Sequence, residues 1–306
     1  MTVYLPIAEI SVSIFLLIGL GAGVGFLGGV FGVGGGFLMT PFLMFIGIPP
    51  AVAVASTANQ VIAGAVTSAY SHWRRRTIDL RMAWIVVAGG FVGSLAGVGI
   101  FGLLRRFGQI DLFISLSYVV LLGTVGVLMA VEATRTFLRQ RRPSGARRRL
   151  HEHFWMHGLP FKMRFPRSRL YISVLMPLTL SFAVGLLSGV MGVGGGFVMV
   201  PAMIYLLGMP TQVVPGTAQV QIVFVAASAT LLQAIQHQTV DALLAFILLT
   251  GGVVGSHFGS VMSQRLRGEQ LRGLLALLLL AVAGKLLFDL TVTPDDAFSI
   301  SLPMRR

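Results

Sequence analysis

The feature that most constrains this chain is the absence of charge over two long stretches. No Asp, Glu, Lys or Arg occurs between Glu9 and Arg74, nor between Arg169 and Asp241. A helix rises about 1.5 Å per residue and the hydrocarbon core of a bilayer is about 30 Å thick, so each stretch is long enough to cross a membrane about three times. Only 11% of the 306 residues are charged, against roughly 25% in soluble domains. The sequence therefore predicts an all-α integral membrane protein.

The two halves of the chain form an internal repeat. Each half carries the pattern Gly-Val-Gly-Gly-Gly-Phe, followed by a proline: Gly32, Gly34, Gly35, Gly36 and Pro41 in the first copy, Gly192, Gly194, Gly195, Gly196 and Pro201 in the second. Five further matches follow in the same order: 47–49 with 208–210, 57–59 with 217–219, 77–79 with 239–241, 89–90 with 251–252 and 93–94 with 255–256. We therefore divide the chain into a first transmembrane repeat (1–131), a basic loop (132–170) and a second transmembrane repeat (171–306).

Each repeat contains about five hydrophobic elements, of which the second is unusually short. These short elements are residues 33–48 and 193–207, flanked by glycines before and prolines after. About 16 residues give ~24 Å of helix, less than the thickness of the hydrocarbon core. Short, Gly/Pro-interrupted segments at matching places in two halves are typical of a transporter binding site. The N-terminal stretch lacks a basic n-region, so we expect a retained first helix rather than a cleaved signal peptide.

The distribution of basic residues predicts the orientation in the membrane. Residues 132–170 hold 11 of the 23 Lys and Arg residues and only two acids, Glu132 and Glu152. By the positive-inside rule this loop is cytoplasmic, and its charges suit anionic lipid headgroups better than nucleic acid. If every short element crosses the membrane, the basic segments 73–81 and 265–272 are also cytoplasmic and the two repeats are inverted. If the short elements re-enter instead, the repeats are parallel and the segment 265–272 lies outside, which fits the rule less well.

Two interpretations of the glycine runs stay open at the level of sequence. In the first, the small residues allow close helix packing. In the second, the glycines break the helix at depth, and a new helix starting at Phe37 or Phe197 turns its positive N-terminal end towards an anion. Two such sites, one from each half, would meet near the middle of the membrane. A nucleotide site is excluded by context, because an apolar helix rather than a short strand precedes the first glycine run.

A polar cluster recurs after each glycine run and has the same two interpretations. Its candidate substrate-binding residues are Thr57, Asn59 and Gln60 in the first half and Thr217, Gln219 and Gln221 in the second. Amides and hydroxyls in apolar helices need hydrogen-bond partners. Those partners are either neighbouring helices or the oxygen atoms of a substrate.

The predicted spans carry little other chemistry. The chain has no cysteine, and no span holds a carboxylate pair or a Ser/His/Asp set, so we expect no enzyme, no cofactor and no metal site. His257 lies within the span predicted over 242–264, where it is either a carrier of a coupling proton or a buried packing residue. Lys285 and Asp289, four positions apart, predict an interfacial ion pair.

With these motifs the chain resembles the sulfite exporter TauE/SafE family, also called the toluene sulfonate uptake permease family. The resemblance covers about residues 10–290 and depends on the glycine runs with their prolines, on 56–59 and on 216–219. It implies a permease of the bacterial or archaeal inner membrane that moves small, often sulfur-containing anions, with seven or eight spans. The expected function is secondary transport of such an anion by alternating access. The expected partners are the anionic substrate and membrane lipid, and a homo-oligomer is compatible with this function. The alternative is an anion channel or a membrane signalling or assembly protein without transport.

Overall fold

Ten helices and two short β-hairpins make up the computed structural model, which describes residues 2–31, 35–140, 161–168, 170–210, 212–263 and 268–291. The elements of the first half are β1 Thr2–Leu5, β2 Ile10–Ser13, α1 Ile14–Phe31, α2 Gly36–Phe45, α3 Pro50–Arg74, α4 Leu80–Arg106 and α5 Ile110–Gln140. Those of the second half are β3 Lys162–Phe165, β4 Leu170–Ser173, α6 Leu175–Met191, α7 Gly196–Tyr205, α8 Val214–Leu232, α9 Ala242–Ser263 and α10 Gly268–Thr291. A π-helical turn, Gln233–His237, continues α8.

Seven helices among the described residues are long and apolar enough to cross a membrane: α1, α3, α4, α5, α8, α9 and α10. The prediction of a multi-pass helical membrane protein is therefore confirmed. Helices α2 and α7 have 10 residues each, which gives about 15 Å of helix, half the thickness of the hydrocarbon core. The short second element of each half is thus a half-helix.

The N-terminal segment before Ile14 differs from the predicted continuous helix. Strands β1 and β2 pair antiparallel, with Thr2 opposite Ser13 and Leu5 opposite Ile10, and the helix begins only at Ile14. The physical reason is the β-forming side chains on both sides of a turn that starts at Pro6, a residue that cannot donate a ladder hydrogen bond. The second half repeats this hairpin as β3–β4.

The stretch 132–170, predicted as a loop, is structured at both of its ends. Helix α5 continues to Gln140, and strand β3 begins at Lys162. Residues 141–160, which hold most of the remaining predicted loop, lie outside the described residues. The basic segment 265–272 is described only from Gly268 onward, as backbone at the start of α10.

Each half packs its first helix against the fourth helix of the other half. Helix α6 runs parallel to α4, and α1 runs parallel to α9, in contacts lined by glycine. A Cβ atom at Gly93 would collide with the carbonyl oxygen of Phe182, and one at Gly97 with that of Leu186. The glycines matched at 89–90, 93, 251–252 and 255 therefore serve close helix packing.

The central helices α3 and α8 run in opposite directions. The last turn of α3 packs on the start of α8, where a Cβ atom at Gly216 would lie 2.9 Å from the Cβ atom of His72. Helix α4 then carries the chain to the other end of the molecule, where the Arg105 guanidinium donates a hydrogen bond to the carbonyl oxygen of His237. We call these two ends the α3–α4 end and the α8–α9 end.

A buried aspartate at the α3–α4 end ties a hairpin to two helices, α4 and α8. Asp79 caps α4, its Oδ1 accepting a hydrogen bond from the amide of Met82 at 3.3 Å. Its Oδ2 accepts from the amide and the hydroxyl of Ser168, in the β3–β4 turn, at 3.0 and 2.6 Å. The amide of Asp79 donates to Thr217 Oγ1 in α8 at 3.2 Å.

Asp241 has the corresponding role at the α8–α9 end. Its Oδ1 accepts from the amide of Leu244 at 3.1 Å, and its Oδ2 from the amide of Ile7, in the β1–β2 turn, also at 3.1 Å. Its own amide donates to Ser56 Oγ in α3 at 3.1 Å. Both ends are therefore fastened by the same combination of hairpin, carboxylate and hydroxyl.

These contacts match the residues of the two halves in a way that differs by one position from the match seen in the sequence. Ser56, rather than Thr57, has the partner that corresponds to that of Thr217. The numbering offset between the halves then grows by a further position from the pair Ser56 and Thr217 to the pair Asp79 and Asp241. The π-helical turn after α8 lies between these points and holds the additional residue, as π-bulges do.

Candidate substrate site at the molecular centre

The glycine runs interrupt the helical backbone, as the sequence predicts. Helix α6 ends at Met191, and Gly192, Gly194 and Gly195 have φ angles of 66°, 71° and 74°. This left-handed conformation is one that glycine adopts without strain. In the first half Gly35, with φ 73°, precedes α2, while Gly32 and Gly34 lie outside the described residues.

The half-helices α2 and α7 meet at their N-termini. They begin at Gly36 and Gly196, immediately before the predicted starts. The rings of Phe37 and Phe197 stack with centroids 5.2 Å apart, and both side chains are buried. A Cβ atom at Gly36 would lie 3.1 Å from the carbonyl oxygen of Val193. The positive ends of two helix dipoles therefore lie together in the interior of the molecule.

The glycine runs are also tightly packed, so both sequence interpretations describe part of the geometry. A Cβ atom at Gly192 would collide with the carbonyl group of Val54 in α3. Added Cβ atoms at Gly194 and Gly195 would collide with the side chains of Val61 and Val184. With the stacked phenylalanines, these contacts fill the part of the centre that the described residues form.

Thr57 is the predicted polar side chain that lies against this centre. Its hydroxyl donates to the carbonyl oxygen of Val54 at 3.1 Å and lies 3.0 Å from the hydroxyl of Thr40 in α2. Val54 is also the residue that contacts Gly192. Thr57 thus connects α3 to the half-helix α2. It also lies one helical turn after Val54, which contacts the glycine run that precedes the other half-helix, α7.

Two hydroxyl groups at the centre were missed by sequence reasoning. Thr40 lies next to Pro41 in α2, and Tyr118 in α5 donates a hydrogen bond to the carbonyl oxygen of Met191 at 2.9 Å, directly before the second glycine run. Both side chains are fully buried. The sequence does single out Thr40, because the repeat places the apolar Val200 at the matching position of the second half, so the hydroxyl breaks the match. Nothing in the spacing of Tyr118 indicates its long-range partner.

Three other predicted site residues join helices to one another. Thr217 bonds to the amide of Asp79, as described above, and Gln60 Nε2 donates to the carbonyl oxygen of Gly21 in α1 at 3.3 Å. The amide of Gln221 lies against Gly90 in α4. Among the described residues, the buried Oε1 atoms of Gln60 and Gln221 have no hydrogen-bond partner. The packing interpretation therefore accounts for most of the contacts of these three side chains.

Asn59 and Gln219 lie on different faces of their helices from Thr57 and Thr217, and His257 lies on α9. Asn59 is half-buried and lies two positions after Thr57, about 200° further round α3. Gln219 is buried and has the same relation to Thr217 in α8. His257 is exposed on α9, with its ring 6.1 Å from that of Phe258, so the interpretation as a buried packing residue is wrong.

Fold and centre together define a class of protein. A multi-pass helical membrane protein with broken, paired half-helices at its centre has the architecture of a membrane transporter. The model of the sulfite exporter TauE/SafE family matches residues 17–286, and the chain belongs to that family. The predicted resemblance is confirmed over nearly the whole chain.

The relatives carry transporter names. A probable membrane transporter protein, YjnA, of Bacillus subtilis is 30% identical over 283 residues, which is 90% of this chain and 100% of the relative. A probable membrane transporter protein of Xylella fastidiosa is 30% identical over 89% of this chain and 94% of its own length. A sulfite exporter TauE/SafE family protein of Arabidopsis thaliana is 34% identical over 33% of this chain and 23% of its own length. No solved structure matches the chain. The family and these relatives are transporters, not enzymes.

Proposed function

We propose that this protein is a secondary transporter that moves small anions, namely sulfur-containing oxyanions such as sulfite or organosulfonates, by alternating access. The observation that carries the proposal is the meeting of the α2 and α7 N-termini at Phe37 and Phe197. Helix N-termini attract anions through free amide groups and the helix dipole. The N-termini of α2 and α7 lie within the two uncharged stretches of the chain. Backbone amide groups would therefore supply the positive potential that a buried cation supplies elsewhere.

The proposed site consists of both glycine runs, Thr57 and the polar residues around them. Irregular backbone is tolerated in a membrane where it is buried in protein or faces a water-filled cavity. The centre is buried in the conformation described. Alternating access would expose it to one side at a time, with Asn59, Gln60, Gln219 and Gln221 reached as the helices move.

The arrangement of the halves supports the inverted orientation that this mechanism needs. Helices α3 and α8 run in opposite directions, and the hairpins of the two halves lie at opposite ends. The segment 73–81 and the β3–β4 hairpin, both basic, share the α3–α4 end. By the positive-inside rule, we assign this end to the cytoplasm.

Ligand-dependent stabilisation of the purified protein tests the site. Sulfite, thiosulfate and short sulfonates are titrated in a thermal unfolding assay, with chloride as the reference anion. A ligand at about 100 times its Kd stabilises the native state by about 2.7 kcal/mol. We expect this stabilisation with at least one sulfur oxyanion and none with chloride.

A pair of matched variants locates the binding. Thr57→Val removes the hydroxyl at the centre while keeping the shape of the side chain. Thr67→Val makes the same change on an exposed turn of α3, where the hydroxyl donates to the carbonyl oxygen of Ala63 within the same helix. We expect the ligand effect to be lost in the first variant and kept in the second. A folded Thr57→Val protein with an undiminished ligand effect would refute the site.

The rival function is an anion channel. A channel needs a continuous aqueous path, and the stacked phenylalanines are buried at the centre, where such a path would have to pass. Counterflow separates the two functions: vesicles loaded with unlabelled sulfite should transiently accumulate labelled sulfite. Uptake without counterflow, and without saturation, would favour the channel. An assembly or signalling protein would show neither binding nor flux.

A further inference from the structure

An open pocket at the α3–α4 end has no role in the proposed transport site. Its volume is about 340 Å³, and six residues line it: Trp73, Arg74, Arg76, Ile78, Leu80 and Arg167. Three of these are arginines and three are apolar. The pocket therefore combines a cationic wall with an apolar wall at the end of two predicted membrane spans.

The apolar wall is open to the surroundings. The side chains of Trp73 and Leu80 are 58% and 42% exposed. Both lie at helix ends, since Trp73 is in the last turn of α3 and Leu80 begins α4. Exposed tryptophan at such a position is typical of the interface between membrane and water. The pocket is thus expected at the depth of lipid headgroups.

The cationic wall is held in place by the fold. The guanidinium of Arg167, in the β3–β4 turn, donates a hydrogen bond of 2.6 Å to the carbonyl oxygen of Ile78. Arg76 has a φ angle of 55°, a left-handed conformation that is uncommon for residues other than glycine. Two elements distant in sequence therefore bring their arginines to one pocket. Among the described residues, no acidic side chain lines the pocket.

The matching segment at the α8–α9 end adopts a similar left-handed backbone conformation without the arginine side chains. Gln238 has the same left-handed conformation as Arg76, with a φ angle of 48°. The segment 235–238, which precedes α9 as 73–76 precedes α4, contains no Arg and no Trp. In the first hairpin Ile7 stands at the turn position that Arg167 has in the second. At these matched positions, arginine and tryptophan occur at the α3–α4 end and not at the α8–α9 end.

We infer that this pocket binds the phosphate group of an anionic membrane phospholipid. Arg74, Arg76 and Arg167 would hold the phosphate oxygens, because guanidinium groups bind tetrahedral oxyanions by directed hydrogen bonds. Trp73 and Leu80 would contact the glycerol and the first carbons of the acyl chains. Basic pockets of this kind at the cytoplasmic side of membrane proteins suit anionic headgroups. The inference is independent of the substrate that the centre carries.

Titration of the purified full-length chain with lipid tests the inference. Phosphatidylglycerol is the anionic probe, phosphatidylcholine the zwitterionic one and inorganic phosphate the free anion, each followed by thermal stabilisation in detergent. We expect stabilisation by phosphatidylglycerol at lower concentration than by the other two. Arg76→Gln should weaken the apparent affinity for phosphatidylglycerol about tenfold, the effect of one charge-assisted hydrogen bond.

Matched variants distinguish the pocket from general surface charge. Arg75→Gln removes the same charge from the neighbouring residue, which does not line the pocket, and should leave the affinity unchanged. Arg76→Lys should restore part of it. Glutamine at position 76 should be compatible with folding, because Gln238 has this conformation at the other end.

Three results would overturn the inference. Equal weakening by Arg75→Gln and Arg76→Gln would show that only net charge matters. Equal stabilisation by phosphatidylcholine and phosphatidylglycerol would show that the headgroup is not recognised. Inorganic phosphate that competes with phosphatidylglycerol at similar concentration would make a free anion, rather than a lipid, the ligand.

Discussion

At the scale of single residues, glycine has two different roles in this chain. At Gly35, Gly192, Gly194 and Gly195 it gives the backbone a left-handed conformation that side chains resist. Along α4 and α9 it is ordinary helix, and the missing Cβ atom instead lets a neighbouring helix approach. The sequence predicts the first role from the clustering of glycines and an adjacent proline. The second role is visible only once the partner helix is known.

Substitution of two glycines in α4 should separate helix contact from helix propensity. Gly93→Ala places a methyl group against the carbonyl oxygen of Phe182 and should lower the free energy of unfolding by about 1–3 kcal/mol. Gly99→Ala, with no atom within 4 Å of the added carbon, should raise it by about 0.5–1 kcal/mol. Thermal or denaturant unfolding in detergent measures both, and equal effects of the two changes would contradict the proposed contact.

At the scale of elements, the helices were predictable and the hairpins were not. Absence of charge determines where helices can span, so the predicted span 242–264 agrees closely with α9. The strands of the hairpins are short and lie within apolar or basic sequence, and short strands give little periodic signal. Their importance depends on contacts far along the chain, such as that of Ser168 with Asp79.

The candidate site was also predictable only in part. The helix breaks follow from residue type, and Gly192, Gly194 and Gly195 have the expected conformation. The register of α3 against α8 did not follow, because the numbering offset between the halves changes along the chain and the π-helical turn after α8 absorbs an additional residue. Contacts alone show that Thr57 lies beside the centre while Thr217 bonds to Asp79.

Removal of one hydroxyl should weaken the fastening of the β3–β4 hairpin. Ser168→Ala deletes the 2.6 Å hydrogen bond to Asp79 Oδ2, which is buried, and should lower the free energy of unfolding by about 1–3 kcal/mol. Thr179→Ala is the matched control, since that exposed hydroxyl donates to carbonyl oxygens of its own helix, α6. Unfolding of both variants in detergent is the measurement. A loss in the control as large as that in Ser168→Ala would contradict this role.

At the scale of the whole molecule, the two hairpins mark opposite ends. β1–β2 bonds to Asp241, and β3–β4 bonds to Asp79. If α4 spans the membrane, these ends face different compartments. The proposed inversion of the repeats therefore makes a statement about sidedness that labelling can check.

Introduced cysteines should report opposite accessibilities for the two hairpins. The chain has no cysteine, so a single substitution gives a unique thiol without further changes. Tyr4→Cys, on an exposed position of β1, should react with an impermeant maleimide added to intact cells. Arg164→Cys, exposed on β3, should react only after permeabilisation. Labelling of both thiols from the same side would contradict the inversion.

The crossed pairing of α1 with α9 and of α4 with α6 has a consequence for biosynthesis. When α4 leaves the ribosome, the helix that covers its glycine face has not yet been translated, and α1 waits still longer for α9. Neither half can therefore reach its native packing alone, and the nascent chain must be inserted with both glycine faces turned to lipid or to the insertion machinery. Truncation after α5 should accordingly yield a fragment that membrane proteases degrade rather than a stable half-protein.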